Sequence, residues 1–293
     1  MLGYTHNMSR SITSVEGFIR KISKLHAEPN ERIFYRGHSD RLEFKLKPSL
    51  YRNSGWRRNE QLLVNDLLSA NPSDFRDDRS MFERLVRMQH HSLPTRLLDL
   101  TSNPLMALYF ACCEADKVGG DVIIFKIKRS RIKYSDSDTV SCIANAARLT
   151  AKERYTIDVG LPRKEFNETP VIRRLLHFIK EEKSYFTDVI VPSDMKKIIC
   201  VRPKMSNLRI ASQSGAFLLF GIDAELPEIG TSEFVVDRVA ISAKAKRKIC
   251  LELEVLNIHR GTVYPNIENS AIVVREHYRT APPAGGHDRR PVT

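Results

Sequence analysis

Apolar residues near the start of the chain recur three or four positions apart: Val15, Phe18, Ile19, Ile22 and Leu25. This spacing predicts a first helix that is capped by Thr13 or Ser14 and ended by Pro29. Asn103 followed by Pro104 predicts another helix start, because Asn caps well and Pro fits the first helical position. Further helices are predicted at 61–68, at 81–89 with Ser80 as its cap, and at 138–148, 170–183, 243–256 and 265–278.

Short apolar runs between these segments predict strands. The run at 121–127 alternates too little for a surface strand, so a position inside a sheet is expected. Other strands are predicted at 32–37, 197–202, 215–222 and 233–241. Together these elements predict an α+β fold with a mixed or antiparallel sheet core and flanking helices.

The 293 residues are predicted to form one domain over 1–279. No internal repeat or low-complexity linker divides the chain, and single cores can reach about 250 residues. The polar stretch at about 135–166 is expected to be an insertion lying over the core. The tail at 280–293 is rich in Pro, Gly and charge, which predicts disorder.

The net charge of +12 would attract phosphates, nucleic acid or acidic surfaces. Every apolar run ends well before the ~20 residues of a membrane span, and the N-terminus lacks an apolar signal core. A cytoplasmic protein without a membrane partner is therefore expected. The five cysteines are odd in number and show no Cys-x-x-Cys spacing, which favours buried, reduced thiols. The adjacent His90 and His91 lack metal-ligand spacing, so no metal site is predicted.

Three separated segments carry recognisable motifs: FYRGHS at 34–39 with PSLYR at 48–52, QHHSLPTRLLDLTSNPLMALYFA at 89–111, and NLRIASQSGAF at 207–217. In these motifs the chain resembles the FRG-domain family, which is named for its Phe-Arg-Gly signature. The resemblance spans roughly 14–278. Ser92 stands where the family tends to have Gly, which weakens the case for a positive φ in that turn. Leu100 stands where the family tends to have Trp, which removes an aromatic wall from a ligand site.

Arg36 ends a predicted strand just before Gly37, so its fork of donors can emerge at the strand edge while the backbone stays open to a ligand. This arrangement suits phosphate or carboxylate binding. The alternative is an Arg36 that pairs with a core carboxylate such as Asp99.

Thr101, Ser102 and Asn103 place three small polar side chains at a helix N-terminus, where free N–H groups can cradle an anion. The alternative, helix capping alone, explains Asn103 but not His90, Arg96 and Asp99, which crowd the same turn. We therefore predict binding roles for Arg36, Gly37, Arg96, Thr101, Ser102 and Asn103.

A strand-borne Arg before Gly, followed by a Thr-Ser pair ahead of a helix, is similar to the first two motifs of the Arg-Ser-Glu class of ADP-ribosyltransferases. The resemblance implies a related fold and NAD as cofactor, with Arg36 holding phosphates, Thr101 and Ser102 shaping the nicotinamide pocket, and Gln213 orienting the ribose. That class has a Glu in the late motif, which balances developing positive charge, whereas Gln213 is neutral. Whether the chain is an enzyme is therefore left open. Another carboxylate, such as Asp99, Asp40 or Glu225, could replace the missing Glu, and His90 could act as a general base. The catalytic candidates are therefore Arg36, Gln213, His90 and Asp99.

The family resemblance implies an intracellular effector of a bacterial or phage toxin or anti-phage defence system, acting on an unknown macromolecular target. A non-catalytic nucleic-acid-binding or protein-interaction module is the alternative. Basic stretches at 126–133 and 244–248 could bind a phosphate backbone, but a solvated face explains each of them as well. The sequence predicts no oligomeric state.

Overall fold

The computed structural model describes residues 11–187, 189–204, 211–265, 269 and 275. The tail predicted at 280–293 lies outside the described residues, as does most of the helix predicted at 265–278. Helices with described bounds are α1 (Val15–Ile22), α2 (Ser54–Arg58), α3 (Glu60–Ala70), α4 (Met81–His90), α5 (Pro104–Cys112), α6 (Asp138–Asn145), α7 (Ala151–Tyr155), α8 (Arg163–Glu168), α9 (Pro170–Glu182), α10 (Lys246–Val255) and α11 (Arg260–Val263).

Within the described residues, seven strands form one sheet: β1 (Glu31–His38), β2 (Leu97–Thr101), β3 (Gly120–Lys128), β4 (Ile132–Tyr134), β5 (Ile198–Arg202), β6 (Gly215–Phe220) and β7 (Phe234–Ile241). Their order is β4-β5-β6-β2-β1-β3-β7. The β4–β5 pair is parallel and the other pairs are antiparallel. The predicted α+β class with a mixed sheet and flanking helices is confirmed.

Three helix starts follow the capping residues that the sequence indicated. The side chains of Ser14, Ser80 and Asn103 each accept a hydrogen bond from a backbone N–H in the first turn of α1, α4 and α5. Each bond satisfies a donor that the helix itself leaves without a partner. The strand predicted inside the sheet is β3, which pairs with β1 on one side and β7 on the other.

Helices cover one face of the sheet in two groups. Helices α1, α5 and α10 share a hydrophobic cluster with β1, β3 and β7. Helices α3, α4 and α6 share another with β2, β5 and β6. The opposite side chains of the strands form a third cluster, closed by Leu46, Ala224 and Leu226 from loops. The stretch at about 135–166 is thus not polar throughout, because its helix α6 contributes Val140 and Ile143 to the core.

Gly37 lies where α5 crosses β1. A Cβ atom at this position would stand 2.1 Å from the carbonyl oxygen of Ala107 and 2.6 Å from the backbone nitrogen of Ala111. Both atoms belong to the helix backbone, which cannot move aside as a flexible side chain can. Glycine therefore allows α5 to lie directly on β1, a packing role that differs from the open ligand approach we expected.

The turn after α4 has a left-handed backbone, although serine in place of glycine at position 92 weakened the case for one. Ser92 has φ 66°. Its N–H donates to the carbonyl of Gln89, and the N–H of Leu93 donates to the carbonyl of Met88. These two bonds define a Schellman motif, which usually has Gly at the left-handed position. The interpretation of Ser92 as evidence against a positive φ was wrong: the turn keeps the conformation without the glycine.

Candidate functional site

A cleft of about 500 Å³ opens beside the C-terminal ends of β1, β2 and α5. We name it the Arg36 cleft. Ligand pockets in proteins usually have a volume of this order. The sequence-predicted site residues in its described lining are Arg36, Gly37, Asp99, Thr101 and Gln213. Residues more than a hundred positions apart thus meet at one surface.

The Arg36 guanidinium is held in place by its neighbours on the sheet. Nε donates to Nε2 of His38 at 3.0 Å, and Nη1 donates to the backbone carbonyl of Asp99 at 2.8 Å. The Asp99 carboxylate lies 3.7 Å from Nη1. None of the hydrogen bonds among the described residues uses Nη2. Burial lowers the pKa of Arg36, and the Asp99 carboxylate opposes that shift. The site thus contains a positioned, partly desolvated cation with donor capacity left.

His38 is 1% exposed and stands beside Arg36 in the cleft lining. Because its Nε2 accepts the bond from Arg36, the ring hydrogen is on Nδ1. Among the described residues, Nδ1 has no hydrogen-bond partner. Burial, and then the guanidiniums of Arg36, Arg238 and Arg52, lower the pKa of His38 to about 2. The ring is therefore neutral at physiological pH.

The Thr101 and Ser102 hydroxyls tie the end of β2 to the late motif. Thr101 Oγ1 donates to the carbonyl of Gln213 at 2.6 Å and accepts from the N–H of Asn103 at 2.9 Å. Ser102 Oγ donates to the carbonyl of Ser214 at 3.3 Å. Thr101 lines the Arg36 cleft, whereas Ser102 is exposed outside its described lining, and Asn103 caps α5. Thr101 and Ser102 thus connect the two motifs and Asn103 caps the helix, so the three side chains do not form an open anion cradle.

Asp99 and Gln213 face the cleft with part of their hydrogen-bonding capacity in use. The Asp99 side chain is 53% exposed and accepts from Nε2 of Gln89 at 2.7 Å. Nε2 of Gln213 donates to the carbonyl of Val263 at 3.1 Å. His90 lies outside the described lining, with its ring centroid 6.5 Å from that of Phe217. The structure thus brings Arg36, Asp99 and Gln213 together and places His90 elsewhere.

Arg96 also lies apart from the cleft, in a buried ion pair. Its Nε and Nη2 donate to the two carboxylate oxygens of Glu60 at 2.7 and 2.5 Å. The side chains are 1% and 3% exposed, and Arg154 Nη1 lies 3.5 Å from the same carboxylate. Burial would lower the pKa of Arg96, but the Glu60 carboxylate raises it above the ordinary value. This guanidinium links the residue before β2 to the start of α3.

The remaining carboxylates that the sequence offered lie elsewhere. Asp40 accepts hydrogen bonds from the N–H groups of Leu42 and Glu43. Glu225 lines a separate cleft of about 210 Å³. Among the described residues, no group of three or more His, Cys, Asp or Glu side chains could hold a metal ion. No helix in the same part of the chain has the length and apolar character needed to cross a membrane.

A family model for the FRG domain matches residues 31–119. The chain contains an FRG domain. Comparisons with curated proteins and with solved structures found no match. The match is shorter than the 14–278 that the motifs suggested, and Gln213 lies outside it. The fold resemblance to ADP-ribosyltransferases stays a prediction.

The FRG domain runs from β1 to the residue before β3 and supplies most of the Arg36 cleft. Its contribution includes side chains that sequence reasoning missed: His38, Phe44, Tyr109, Phe110 and Glu114. His38 follows Arg36 by two positions on a strand, so the same-face rule could have found it. The others come from the loop after β1, the end of α5 and the turn that follows it, whose sequences give no such signal.

Aromatic side chains contribute to the lining of the cleft beside its polar groups. Tyr109 and Phe110 contact edge to face with centroids 5.8 Å apart, and Phe110 meets Tyr264 at 6.2 Å. Phe44 stands 5.7 Å from the His38 ring, and the Arg52 guanidinium lies 5.8 Å from the Phe44 centroid. The cleft therefore combines flat apolar surfaces with a cationic end.

Proposed function

We propose that the Arg36 cleft binds an NAD-like dinucleotide. The observation that carries the proposal is the Arg36 guanidinium, which His38 and the Asp99 carbonyl hold in one orientation, while no hydrogen bond within the described part of the chain uses Nη2. Charge-assisted hydrogen bonds from a positioned guanidinium are the strongest that proteins offer to phosphate. Aromatic side chains such as Phe110 and Tyr264 give flat surfaces against which a base or a nicotinamide ring can stack.

We further propose that the bound nucleotide is consumed, by ADP-ribosyl transfer or by hydrolysis of its glycosidic bond. Both reactions pass through an oxocarbenium-like state that a nearby carboxylate stabilises. The late motif has the neutral Gln213 where such a carboxylate is needed, but the carboxylates of Asp99 and Glu114 line the same cleft. Arg36 would then bind phosphate, and Asp99 or Glu114 would face the ribose. By family resemblance, such an enzyme would be an intracellular effector in toxin or anti-phage defence.

Nicotinamide release from NAD by the purified protein tests the enzyme proposal. We expect the wild type to release nicotinamide and Arg36→Gln to release it at least tenfold more slowly. Of Asp99→Asn and Glu114→Gln, the variant that removes the charge-balancing carboxylate should lose still more of the rate. Glu225→Gln, in the other cleft, is the matched control and should keep the wild-type rate. Turnover that is absent in the wild type, or unchanged in all the cleft variants, would rule the reaction out.

A second function, ligand recognition without chemistry, is favoured by the state of Gln213. Its side-chain N–H already donates to the carbonyl of Val263, and the neutral amide has no charge with which to stabilise a transition state. The net charge of +12 would suit a nucleic-acid or acidic protein partner. Binding of a labelled oligonucleotide at low and raised salt tests this function, because phosphate-backbone binding weakens steeply as salt rises. Binding that is absent even at low salt would exclude the nucleic-acid version.

A further inference from the structure

Two cysteines 137 positions apart in the sequence meet beside the Arg36 cleft. The sulfur atoms of Cys113 and Cys250 are 3.2 Å apart. Cys113 directly follows α5 and lines the cleft, and Cys250 lies in α10. Both are partly exposed, whereas the remaining cysteines of the chain are buried: Cys112, Cys142 and Cys200. The expectation of buried thiols is confirmed for those three, whereas Cys113 and Cys250 pack against the core and are only partly buried.

A buried lysine fixes the elements that carry the pair. Lys246 begins α10, and its ammonium donates to the carbonyls of Glu114 and Ala115 at 3.1 and 3.0 Å. It also donates to the carbonyl of Ser39. These bonds attach the turn after α5 to the first turn of α10, so the two thiols face each other from anchored positions. Lys246 belongs to the basic stretch at 244–248, in which it serves the fold rather than a solvated face.

The two thiols have different acid strengths. The hydrogen bond from Cys113 lowers the pKa of the Cys250 thiol, and burial only partly opposes it. The same bond, together with burial, raises the pKa of Cys113. Cys250 is therefore the more acidic thiol of the pair, and Cys113 is its hydrogen-bond donor. A low-pKa, accessible thiol with a second thiol beside it is the arrangement of redox-sensitive cysteines.

We propose that Cys113 and Cys250 are a reversible dithiol–disulfide site that a peroxide oxidises. The Cys250 thiolate attacks one oxygen of hydrogen peroxide, and the departing hydroxide takes a proton to become water, which leaves a sulfenic acid on Cys250. The Cys113 sulfur then attacks the Cys250 sulfur, the S–O bond breaks, and the second water leaves. Two thiols are oxidised and one peroxide is reduced to two waters. A dithiol reductant reverses the step by exchange.

Forming the bond brings the sulfur atoms from 3.2 Å to about 2.05 Å. Cys113 and Tyr109, which interact through their side chains, both line the cleft. The oxidised pair would therefore alter the wall of the cleft and join α5 covalently to α10. The proposal does not depend on which ligand the cleft binds.

Peptide mapping of the folded wild-type protein tests the proposal directly. The protein is treated with hydrogen peroxide, its remaining thiols are alkylated, and the digest is read by mass spectrometry with and without reduction. We expect a joined peptide that contains Cys113 and Cys250, lighter by two hydrogens than the sum of its parts and separated by a dithiol reductant. Cys142 and Cys200 should stay alkylatable. A digest in which Cys113 and Cys250 both remain alkylatable, or in which the joined peptide contains another pair, would overturn the proposal.

Single variants test the order of the two steps. In Cys113→Ser, the sulfenic acid on Cys250 has no partner, so dimedone should label Cys250. In Cys250→Ser, Cys113 should be labelled less than Cys250 is in Cys113→Ser, because burial still raises the pKa of the Cys113 thiol. Cys112→Ser, next to the pair but buried, is the matched control and should still form the joined peptide. Labelling of Cys113 but not Cys250 would reverse the assignment, and the wild-type map decides the site even where a variant does not fold.

Discussion

Replacing Glu60 by Gln removes one charge from the buried ion pair with Arg96 and keeps nearly the same side-chain shape. The Arg96 and Glu60 side chains are 1% and 3% exposed, so water cannot replace the lost carboxylate. Arg154, 3.5 Å from the same carboxylate, loses its partner as well. Removing one partner of a buried pair costs about 3–5 kcal/mol, because the remaining charge stays desolvated. Total stabilities are only about 5–15 kcal/mol, so the loss should be large.

Urea unfolding followed by circular dichroism measures this loss as a shift in midpoint at constant slope. Glu16→Gln is the matched control, because Glu16 pairs with Arg20 at the surface with exposures of 78% and 71%. Such exposed pairs contribute about 0.5 kcal/mol or less. Adding Arg96→Met to Glu60→Gln should recover part of the stability, since one uncompensated buried charge is then gone. A Glu60→Gln protein as stable as Glu16→Gln would refute the structural role of Arg96.

Ser92→Gly should raise the free energy of unfolding by about 1 kcal/mol, because glycine adopts φ 66° without the strain of a side chain; a lower urea midpoint would contradict the Schellman turn. Gly37→Ala should cost at least about 1–3 kcal/mol, because its Cβ would stand 2.1 Å from the carbonyl of Ala107; wild-type stability would mean that α5 can move away. His38 has a folded-state pKa held near 2 by burial, below its unfolded value of 6.5. The stability that the neutral His38 ring contributes to the folded state is therefore fully present above pH 6.5. Below that pH the free energy of unfolding falls by about 1.4 kcal/mol per pH unit. Unfolding measured from pH 7 to 5 should show this slope in the wild type and a smaller one in His38→Gln, and equal slopes would contradict the burial of a neutral ring.

Local sequence signals predicted most elements because the decisive contacts lie within one turn. Ser14, Ser80 and Asn103 satisfy donors two or three residues away, so their helices could be placed without knowledge of the fold. The short helix α7 was missed, although Thr150 and Glu153 form a capping box that sequence alone could have shown. The polar composition of the surrounding stretch concealed it.

The candidate site was only partly predictable because its geometry depends on long-range pairing. The register of Tyr35 against Thr101 brings Arg36 to Asp99, a pairing that the sequence raised as the alternative to ligand binding. Arg96 is chemically suited to a phosphate, yet its partner Glu60 lies 36 positions away on α3, which no local pattern reveals. The meeting of Cys113 with Cys250 is equally invisible without the packing of α5 on α10.

Binding of NAD measured by titration calorimetry tests the central claim, that Arg36 holds an anionic nucleotide in its cleft. A charge-assisted hydrogen bond contributes about 1.5–3 kcal/mol, so Arg36→Gln should weaken binding by about 10- to 150-fold. Arg57→Gln makes the same substitution in the neighbouring 210 Å³ cleft and should leave the affinity unchanged. The account predicts saturable binding to the wild type that depends on Arg36 and not on Arg57. Absence of binding to the wild type, or equal affinity in a folded Arg36→Gln protein, would contradict it.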